Sequence, residues 1–189
     1  TRALIRGLDA VHKGIEIEAS RAISHNLDLG FTFSYGDWKW TNDVNAELYD
    51  NNQVLIDSTQ VFSKGLWVGD APQLQTGVYG DLQLPGNIKI SANWLFYDKI
   101  YANFDPAGRN NPNDRNQPFR LPSYHTIDMH AFHDFNISAM KATAGISVFN
   151  ILNHESIMRG EDGATHDIDT FTGFWSPGRT FNFSLKINF

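Results

Sequence analysis

The sequence has no cysteine and no long apolar run, and both absences narrow the possible classes of protein. Without cysteine, the chain forms no disulfide, no thiolate zinc site and no cysteine nucleophile. No stretch approaches the roughly 18 consecutive apolar residues of a membrane-spanning helix. The formal net charge of -6 lacks the basic excess that nucleic-acid binding requires. We therefore exclude a disulfide scaffold, a helical membrane protein and a nucleic-acid-binding protein.

Aromatic residues are abundant in a chain whose average hydropathy is low. They make up 13% of the 189 residues, yet the mean hydropathy is -0.35. Polar residues therefore dilute the apolar ones along the chain. A transmembrane β-barrel has this composition, because its strands alternate lipid-facing and lumen-facing side chains.

The last predicted strand shows such an alternation most clearly. Apolar side chains occupy every second position, at Phe181, Phe183, Leu185, Ile187 and Phe189. Polar side chains fill the positions between them, and no position of this strand breaks the pattern. A period of two predicts a β-strand with one apolar and one polar face.

Six earlier segments repeat the pattern and predict six further strands. They lie around residues 15–19, 27–35, 74–84, 88–96, 127–131 and 142–148. With their flanking residues they reach roughly 10 to 14 positions, whereas most globular strands have about 5 to 6 and a bilayer-crossing strand has about 9 to 11. We therefore predict an all-β fold, a transmembrane antiparallel β-barrel.

The predicted connections alternate strictly between short and long. Short turns are expected at 24–26, 85–87 and 134–138, and long loops at 41–63, 98–119 and 153–174. Outer-membrane barrels have short periplasmic turns and long extracellular loops. We therefore expect the last strand to run inward, with Phe189 in the periplasm. Aromatic residues near the outer strand ends are expected to form a girdle, with ordinary loop aromatics as the alternative for some of them: Trp38, Trp40, Trp67, Tyr97 and Trp175.

Seven strands leave three architectures open, because single-chain bacterial barrels have an even number of strands. Residues 1–8 are a candidate eighth strand of a small closed barrel with a structural or adhesive role. A soluble ligand-binding β-sandwich is another alternative. We favour a fragment of a larger barrel. Since the chain starts at Thr1 without Met or a signal peptide, we expect further sequence upstream.

Six short motifs, in order along the chain, carry a resemblance to a known family. They are His12-Lys13-Gly14-Ile15-Glu16-Ile17-Glu18, Gly69-Asp70-Ala71-Pro72, Leu121-Pro122-Ser123-Tyr124 with Asp128, Val148-Phe149-Asn150-Ile151-Leu152-Asn153, Pro177-Gly178-Arg179-Thr180-Phe181 and the terminal Phe189. Together they resemble the C-terminal barrel portion of a TonB-dependent outer-membrane receptor of the Bacteroidetes type. The resemblance implies a plugged barrel of about 22 strands. Residues 1–189 would then supply about seven strands, with the plug and the earlier strands absent.

The resemblance also implies a function and a set of partners. Receptors of this family import a metal chelate, cobalamin, a glycan or a peptide, with energy relayed through TonB. We therefore expect nutrient import by the whole protein in the outer membrane of a Gram-negative bacterium, with no enzymatic activity and no cofactor. The expected partners are outer-membrane lipid, the barrel-assembly machinery and, through the absent plug, TonB. A surface lipoprotein is a further partner that the sequence leaves open, and no nucleic acid is expected.

The last strand also carries a functional signal that we assign to named residues. An alternating aromatic strand ending in Phe resembles the signal by which the barrel-assembly machinery recognises its clients. An unpaired strand edge, which can pair with another sheet, provides the physical means. The assembly signal comprises Phe181, Phe183, Leu185, Ile187 and Phe189. Anchoring of Phe189 at the inner interface is the simpler interpretation, and both can hold.

The histidines give weaker evidence of a site. His125 and His133 are predicted on the opposite strand face from His130, so the three do not form one metal site. His154 and His166 share the last long loop with several carboxylates. We interpret that loop as solvated and acidic, with a cation or cargo site as the alternative.

The other charged residues also have structural interpretations. In the first long loop, Asp43 and its neighbouring acids are interpreted as solvated, with divalent-ion bridging to lipopolysaccharide as the alternative. Arg109 and Arg115 in the second are candidates for an anionic ligand. Glu16 and Glu18 share the predicted lumen side of a strand. Because no nucleophile-elbow or phosphate-loop motif is present, no catalytic or metal site is assigned and the ligand-binding residues stay open.

Overall fold

The computed structural model describes residues 2–188 and consists of twelve strands joined by turns and loops. The strands are β1 (Arg2–Ile5), β2 (Ala10–Ser24), β3 (Leu27–Trp40), β4 (Val44–Tyr49), β5 (Leu55–Val61), β6 (Leu74–Leu84), β7 (Ile88–Asp98), β8 (Tyr124–Ile137), β9 (Met140–Phe149), β10 (Ile157–Glu161), β11 (Thr172–Trp175) and β12 (Thr180–Asn188). The predicted all-β antiparallel class is confirmed. Within the described residues, no helix has the length and apolar character needed to cross a membrane.

Seven strands form one sheet, an up-and-down meander in the order β12-β9-β8-β7-β6-β3-β2. Each pairs antiparallel with the next strand of this sheet along the chain. They are the seven strands that the alternation predicts. The shortest has 9 residues and the longest 15, and about 9 suffice for a tilted strand to cross a bilayer.

Short and long connections alternate between the two ends of this sheet, as predicted. The turns occupy residues 25–26, 85–87 and 138–139, and the long connections occupy 41–73, 99–123 and 150–179. In the second turn, Gly86 (φ 79°) and Asn87 (φ 59°) adopt the left-handed backbone that glycine and asparagine tolerate best. We call the two ends of the sheet the turn end and the loop end.

The register gives the sheet two chemically different faces. One row of directly opposed residues is wholly apolar: Ile127, Trp94, Val78, Phe31 and Ala19. The adjacent row holds Asp128, Asn93, Tyr79, Gly30 and Ser20. Because consecutive strand residues point to opposite sides, the first row defines an apolar face and the second a polar face.

Two apolar residues that interrupt the alternation have a packing role on the polar face. A Cβ at Gly77 would lie 2.7 Å from Leu95 Cδ2, and a Cβ at Gly145 would lie 2.6 Å from Phe132 Cδ1. Leu95 and Phe132 therefore cover the space left by a glycine on the neighbouring strand. This cross-strand pairing explains why they depart from the polar pattern.

The N-terminal strand does not extend the seven-stranded sheet. Instead β1 pairs with β4, and β4 pairs with β5, in a separate three-stranded sheet. Among residues 2–188, the edge strands β2 and β12 therefore each have one strand neighbour. This pairing contradicts the small eight-stranded barrel, which required residues 1–8 beside the last strand.

The exposure of the last strand decides the other alternative. Phe181 and Phe183 are 59% and 74% exposed, which contradicts the β-sandwich, whose second sheet would bury them.

The buried core lies at the loop end rather than in the sheet. Apart from Ala142, the buried apolar residues of the described chain all belong to the long connections. They form two clusters, one of Val44, Ala46, Val61, Leu66 and Phe104, and one of Ile100, Ala102 and Leu121. We call the three long connections, together with β1, the loop layer. It is a folded unit with its own apolar interior.

Candidate ligand-binding surface at the loop end

The loop layer contains secondary structure that the sequence did not predict. The first long connection holds the β4–β5 hairpin, and the third holds the β10–β11 hairpin. The alternation in Val44–Tyr49 is weak evidence that was available, since Val44 and Ala46 are buried and Asn45 between them is exposed. The sequence predicts long loops over these stretches, without strands of their own.

Backbone hydrogen bonds tie the three long connections together. Asn103 N donates to Gly160 O, and Asp162 N donates to Asn103 O, both at 2.8 Å. These bonds join the second connection to the third. The first connection joins the second through Phe62 N, which donates to Arg109 O at 2.8 Å. The connections therefore hold each other in one arrangement.

A buried group of charged side chains lies where the second and third connections meet. Arg109 is 2% exposed, and its Nη2 donates to Asp162 Oδ2 at 2.7 Å. The Asp162 side chain is 1% exposed and its Oδ1 accepts from Phe119 N at 2.9 Å. His166 contacts Asp162 through Nδ1 and Asp114 Oδ2 through Nε2, the latter at 2.9 Å. We call Arg109, Asp114, Asp162 and His166 the Arg109 cluster.

The composition of the Arg109 cluster explains how it tolerates burial. The Arg109 guanidinium lies between two carboxylates, with Nη2 2.7 Å from Asp162 Oδ2 and Nη1 3.6 Å from Asp114 Oδ1. The His166 ring contacts the same two carboxylates, so each charged group of the cluster has a polar partner. A buried charge needs such a partner, because an unpaired one is costly to remove from water. The cluster is therefore a structural clamp between two connections, and the interpretation of Asp162 and His166 as solvated is wrong.

The two arginines proposed for an anionic ligand are both engaged within the chain. Arg115 donates to both oxygens of Asp43, at 2.7 and 2.8 Å. This bond is the largest cause that lowers the pKa of Asp43 from 3.8 to about 2; burial raises the pKa, and the backbone hydrogen bond from Lys64 lowers it further. Arg109 is taken up by Asp162 and by the carbonyl of Asn116. The predicted anion site is therefore contradicted, because the guanidinium groups already have carboxylate partners.

An open polar recess lies beside the Arg109 cluster, between the second and third connections. Its volume is ≈ 380 Å³, within the range of small-molecule sites. It is lined by Asn111, Asn113, Asp114, Asn116, Ala164, Thr165 and His166. Amide and hydroxyl groups supply both donors and acceptors. We call it the asparagine cavity. Asp114 and His166 belong both to its wall and to the Arg109 cluster, so the clamp fixes the wall.

A family comparison decides what kind of barrel this sheet belongs to. The model of a family described as TonB dependent receptor-like, beta-barrel matches residues 6–151. The chain belongs to this family. Its seven-stranded sheet is therefore part of a TonB-dependent receptor barrel, and the loop layer is the set of long connections of that barrel.

A solved structure has the same fold. The siderophore receptor PiuA from Acinetobacter baumannii is similar over 94% of this chain, with a TM-score of 0.60 and 14% sequence identity. At this identity the similarity shows the fold alone. The chain spans 22% of the length of that receptor chain. No curated protein matches the sequence.

The expected aromatic girdle is wrong for the three named residues that belong to the seven-stranded sheet. Trp38, Trp40 and Tyr97 lie on the polar face by their register with His12, Ala10 and Tyr124. Trp38 stacks on His12 with ring centroids 5.2 Å apart. Trp67 stacks on Tyr101 and bridges Lys39, whose Nζ lies 4.1 Å from the Trp67 ring, so this ring lies on the side of the sheet that Lys39 faces. Trp175 belongs to β11 in the loop layer. Position along the chain indicates height in the barrel, but strand parity places Trp38, Trp40 and Tyr97 on the polar face.

The other predicted strand residues lie where the alternation indicates. His125 and His133 share the apolar face, and His130 lies on the polar face opposite Ser91. Glu16 and Glu18 lie on the polar face, and Glu18 Oε1 accepts from Tyr79 OH at 3.4 Å. Within residues 2–188, no group of three or more acidic or histidine side chains is arranged to hold a metal ion.

The described part of the assembly signal forms one exposed stripe. Phe181, Phe183, Leu185 and Ile187 alternate along β12 on the apolar face and are 59%, 74%, 62% and 37% exposed. Phe189 lies outside the described residues. The stripe borders the edge of β12 that has no strand neighbour in the described chain.

Proposed function

We propose that this chain is the C-terminal part of a receptor that imports a nutrient across the bacterial outer membrane. The main support is the apolar face of the sheet. Lys13, Asp37 and Asp98 mark the loop end of this face. Between them and the turn end, the described part of the face has a single Lys, Arg, Asp or Glu, which is Arg21. A surface of this kind is stable in lipid, because a charged side chain in the hydrocarbon layer costs about 2 to 4 kcal/mol.

The open edges of the sheet support a larger barrel. Strand edges with free backbone donors and acceptors do not occur in the hydrocarbon region, because no water is present to bond them. In the whole receptor, the outer edges of β2 and β12 therefore pair with barrel strands from outside residues 1–189. A plug inside that barrel would contact the polar face and would link the receptor to TonB.

The loop end faces the cell exterior in this proposal, and the turn end faces the periplasm. Residues 1–189 contain no cysteine, so a single cysteine introduced here tests the orientation in a receptor from which every cysteine outside these residues has been removed. Asn51→Cys, in the exposed β4–β5 turn, is expected to react with a membrane-impermeant maleimide on intact cells. Ala139→Cys, in the exposed turn between β8 and β9, is the matched control and should react only after permeabilisation. The reverse labelling pattern would contradict the orientation.

The asparagine cavity is the surface that we propose for cargo contact. Its neutral amides and hydroxyl favour a polar cargo such as a glycan, peptide or metal chelate. Growth on candidate nutrients should depend on the whole receptor and on TonB. Asn113→Leu, on the cavity wall, should reduce growth at limiting nutrient and leave receptor abundance unchanged. Asn136→Leu, at the exposed turn end of β8, is the control and should have no effect on growth.

The apolar stripe of β12 is the proposed signal for the barrel-assembly machinery. Phe183→Asn places a polar side chain on the stripe, and Asn182→Gln changes the opposite face of the same strand. The first variant should lower the amount of folded receptor in the outer membrane, whereas the second should not. Equal amounts of the two variants would contradict a role of the stripe.

The tip of the β4–β5 hairpin is a further proposed contact surface. Val54, Leu55 and Ile56 are 59%, 53% and 59% exposed at this tip. Clustered exposed apolar side chains mark contact sites in proteins. We propose a surface lipoprotein as their partner. Val54→Asn with Ile56→Asn should abolish co-purification of that lipoprotein, and unchanged co-purification would contradict the contact.

A further inference from the structure

Four cations lie where the apolar face ends at the loop end. They are Lys13, Lys39, Lys99 and Arg120, which we call the rim cluster. Two of them follow directly from the register. Lys13 pairs with Asp37 across β2 and β3, and Lys39 pairs with Val11. Both have the parity of Ile15 and Tyr35, so they continue the apolar face beyond its last apolar row.

Contacts place the other two cations on the same side. Lys99 Nζ lies 2.7 Å from Tyr35 OH and 4.3 Å from the centre of its ring. Arg120 Nη2 lies 2.8 and 2.9 Å from the two oxygens of Asp98. Asp98 pairs with Leu74, which in turn pairs with Tyr35 on the apolar face.

The rim cluster carries an excess of positive charge in an acidic chain. The chain has a formal net charge of -6. In the rim cluster, four cations meet two carboxylates, those of Asp37 and Asp98. The Lys39 and Arg120 side chains remain 38% and 52% exposed despite these ion pairs. The excess charge is therefore accessible from outside the barrel.

The spacing of the rim cluster suits a ligand with several anionic groups. It extends from β2 to the start of β8, across four strand intervals of the sheet. Neighbouring strands lie about 5 Å apart, so the cluster spans about 20 Å. Apolar side chains such as Tyr35 and Phe96 lie directly below it on the same face. A ligand that bears phosphates above acyl chains would contact both parts.

We propose that the rim cluster binds the phosphate groups of a phosphorylated glycolipid in the outer leaflet. Basic residues at a membrane surface attract anionic lipid headgroups, and the contact weakens with salt. Acyl chains of the same lipid would cover the adjacent apolar face. The inference rests on the proposed function, since it requires the loop end to be at the outer surface.

The test uses the whole receptor in detergent, titrated with bisphosphorylated lipid A or with the same lipid after removal of its phosphates. A rim variant carries Gln at Lys13, Lys39, Lys99 and Arg120. A control variant carries Gln at Lys64, Lys89, Lys141 and Lys186, which makes the same change in charge elsewhere. The wild-type and control proteins should bind the phosphorylated lipid at least about tenfold more tightly than the dephosphorylated lipid, since each basic residue contributes a several-fold gain in affinity.

The rim variant should lose this preference, and its residual binding should not depend on salt. Equal affinity of the wild-type protein for the two lipids would overturn the inference, as would a preference that survives in the rim variant. A control variant that also loses the preference would indicate general charge attraction and would overturn it too. If the fourfold variant does not fold, Lys99→Gln alone should give a smaller loss. A wild-type receptor absent from the outer-membrane fraction would instead contradict the proposed function.

Discussion

Replacing Arg109 by methionine is predicted to loosen the loop layer and leave the sheet intact. Arg109 is 2% exposed and the Asp162 side chain 1% exposed, so the substitution leaves a carboxylate buried without its guanidinium. Removing one partner of a buried ion pair costs about 3 to 5 kcal/mol. Because about 1.4 kcal/mol corresponds to a factor of ten in an equilibrium constant, the equilibrium constant for opening of the loop layer should increase about a hundredfold or more.

Amide hydrogen exchange of the whole receptor measures this opening. The reporters are the amides of Phe62, Phe119 and Asp162, which donate to groups at or beside the Arg109 cluster. Their protection should fall in Arg109→Met, while protection within β7 stays unchanged. Arg109→Met with Asp162→Asn should regain most of the protection, because an asparagine oxygen can still accept from Phe119 N and no unpaired charge is left.

Arg115→Met is the matched control. Arg115 and Asp43 form an ion pair with side chains 40% and 22% exposed, and such pairs contribute about 1 kcal/mol or less. Protection should therefore change by about fivefold at most. Equal loss of protection in Arg109→Met and Arg115→Met would refute the clamp, as would a double variant no more protected than Arg109→Met.

Three further predictions concern the loop layer and the sheet. The pKa of Asp43 falls from 3.8 to about 2, so its pair with Arg115 stabilises the layer above about pH 4 and is lost as the pH falls toward 2. Acid unfolding of Arg115→Gln should lack this step, which contributes about 1 kcal/mol or less after screening. A Cβ at position 69 would lie 2.6 Å from Ala102 O, so Gly69→Ala should destabilise the layer by about 1 to 3 kcal/mol in urea, whereas Gly108→Ala, with its closest contact at 3.5 Å, should not. Gly145→Val should displace the Phe132 ring and lower barrel stability by a similar amount, seen as a lower urea midpoint.

The sheet could be predicted from the sequence because each strand has two different environments. The apolar residues of β12 and β9 recur at every second position, and this local pattern needs no knowledge of the neighbours. The exceptions follow from contacts across strands. Leu95 and Phe132 cover glycines that are distant in sequence, so the local pattern alone does not account for their positions.

The loop layer could not be predicted in the same way, because its stability depends on contacts between connections. Arg109 and Asp162 are 53 residues apart, and neither carries a local signal of burial. The local sequence therefore predicts solvent or a ligand as their surroundings. The predicted face of Trp38 is wrong for a related reason, because position along the chain gives height in the barrel but not parity relative to Tyr35.

Spin labels along β9 test the central claim, that the apolar face of the sheet contacts lipid. Single cysteines at positions 143 to 147 would carry a nitroxide in the whole receptor, reconstituted in bilayers. Oxygen, which concentrates in lipid, should relax the labels at Ala144 and Ile146 most strongly. A water-soluble nickel complex should favour Thr143 and Ser147, on the polar face. Oxygen accessibility without a period of two, or in phase with Thr143 and Ser147, would contradict the account.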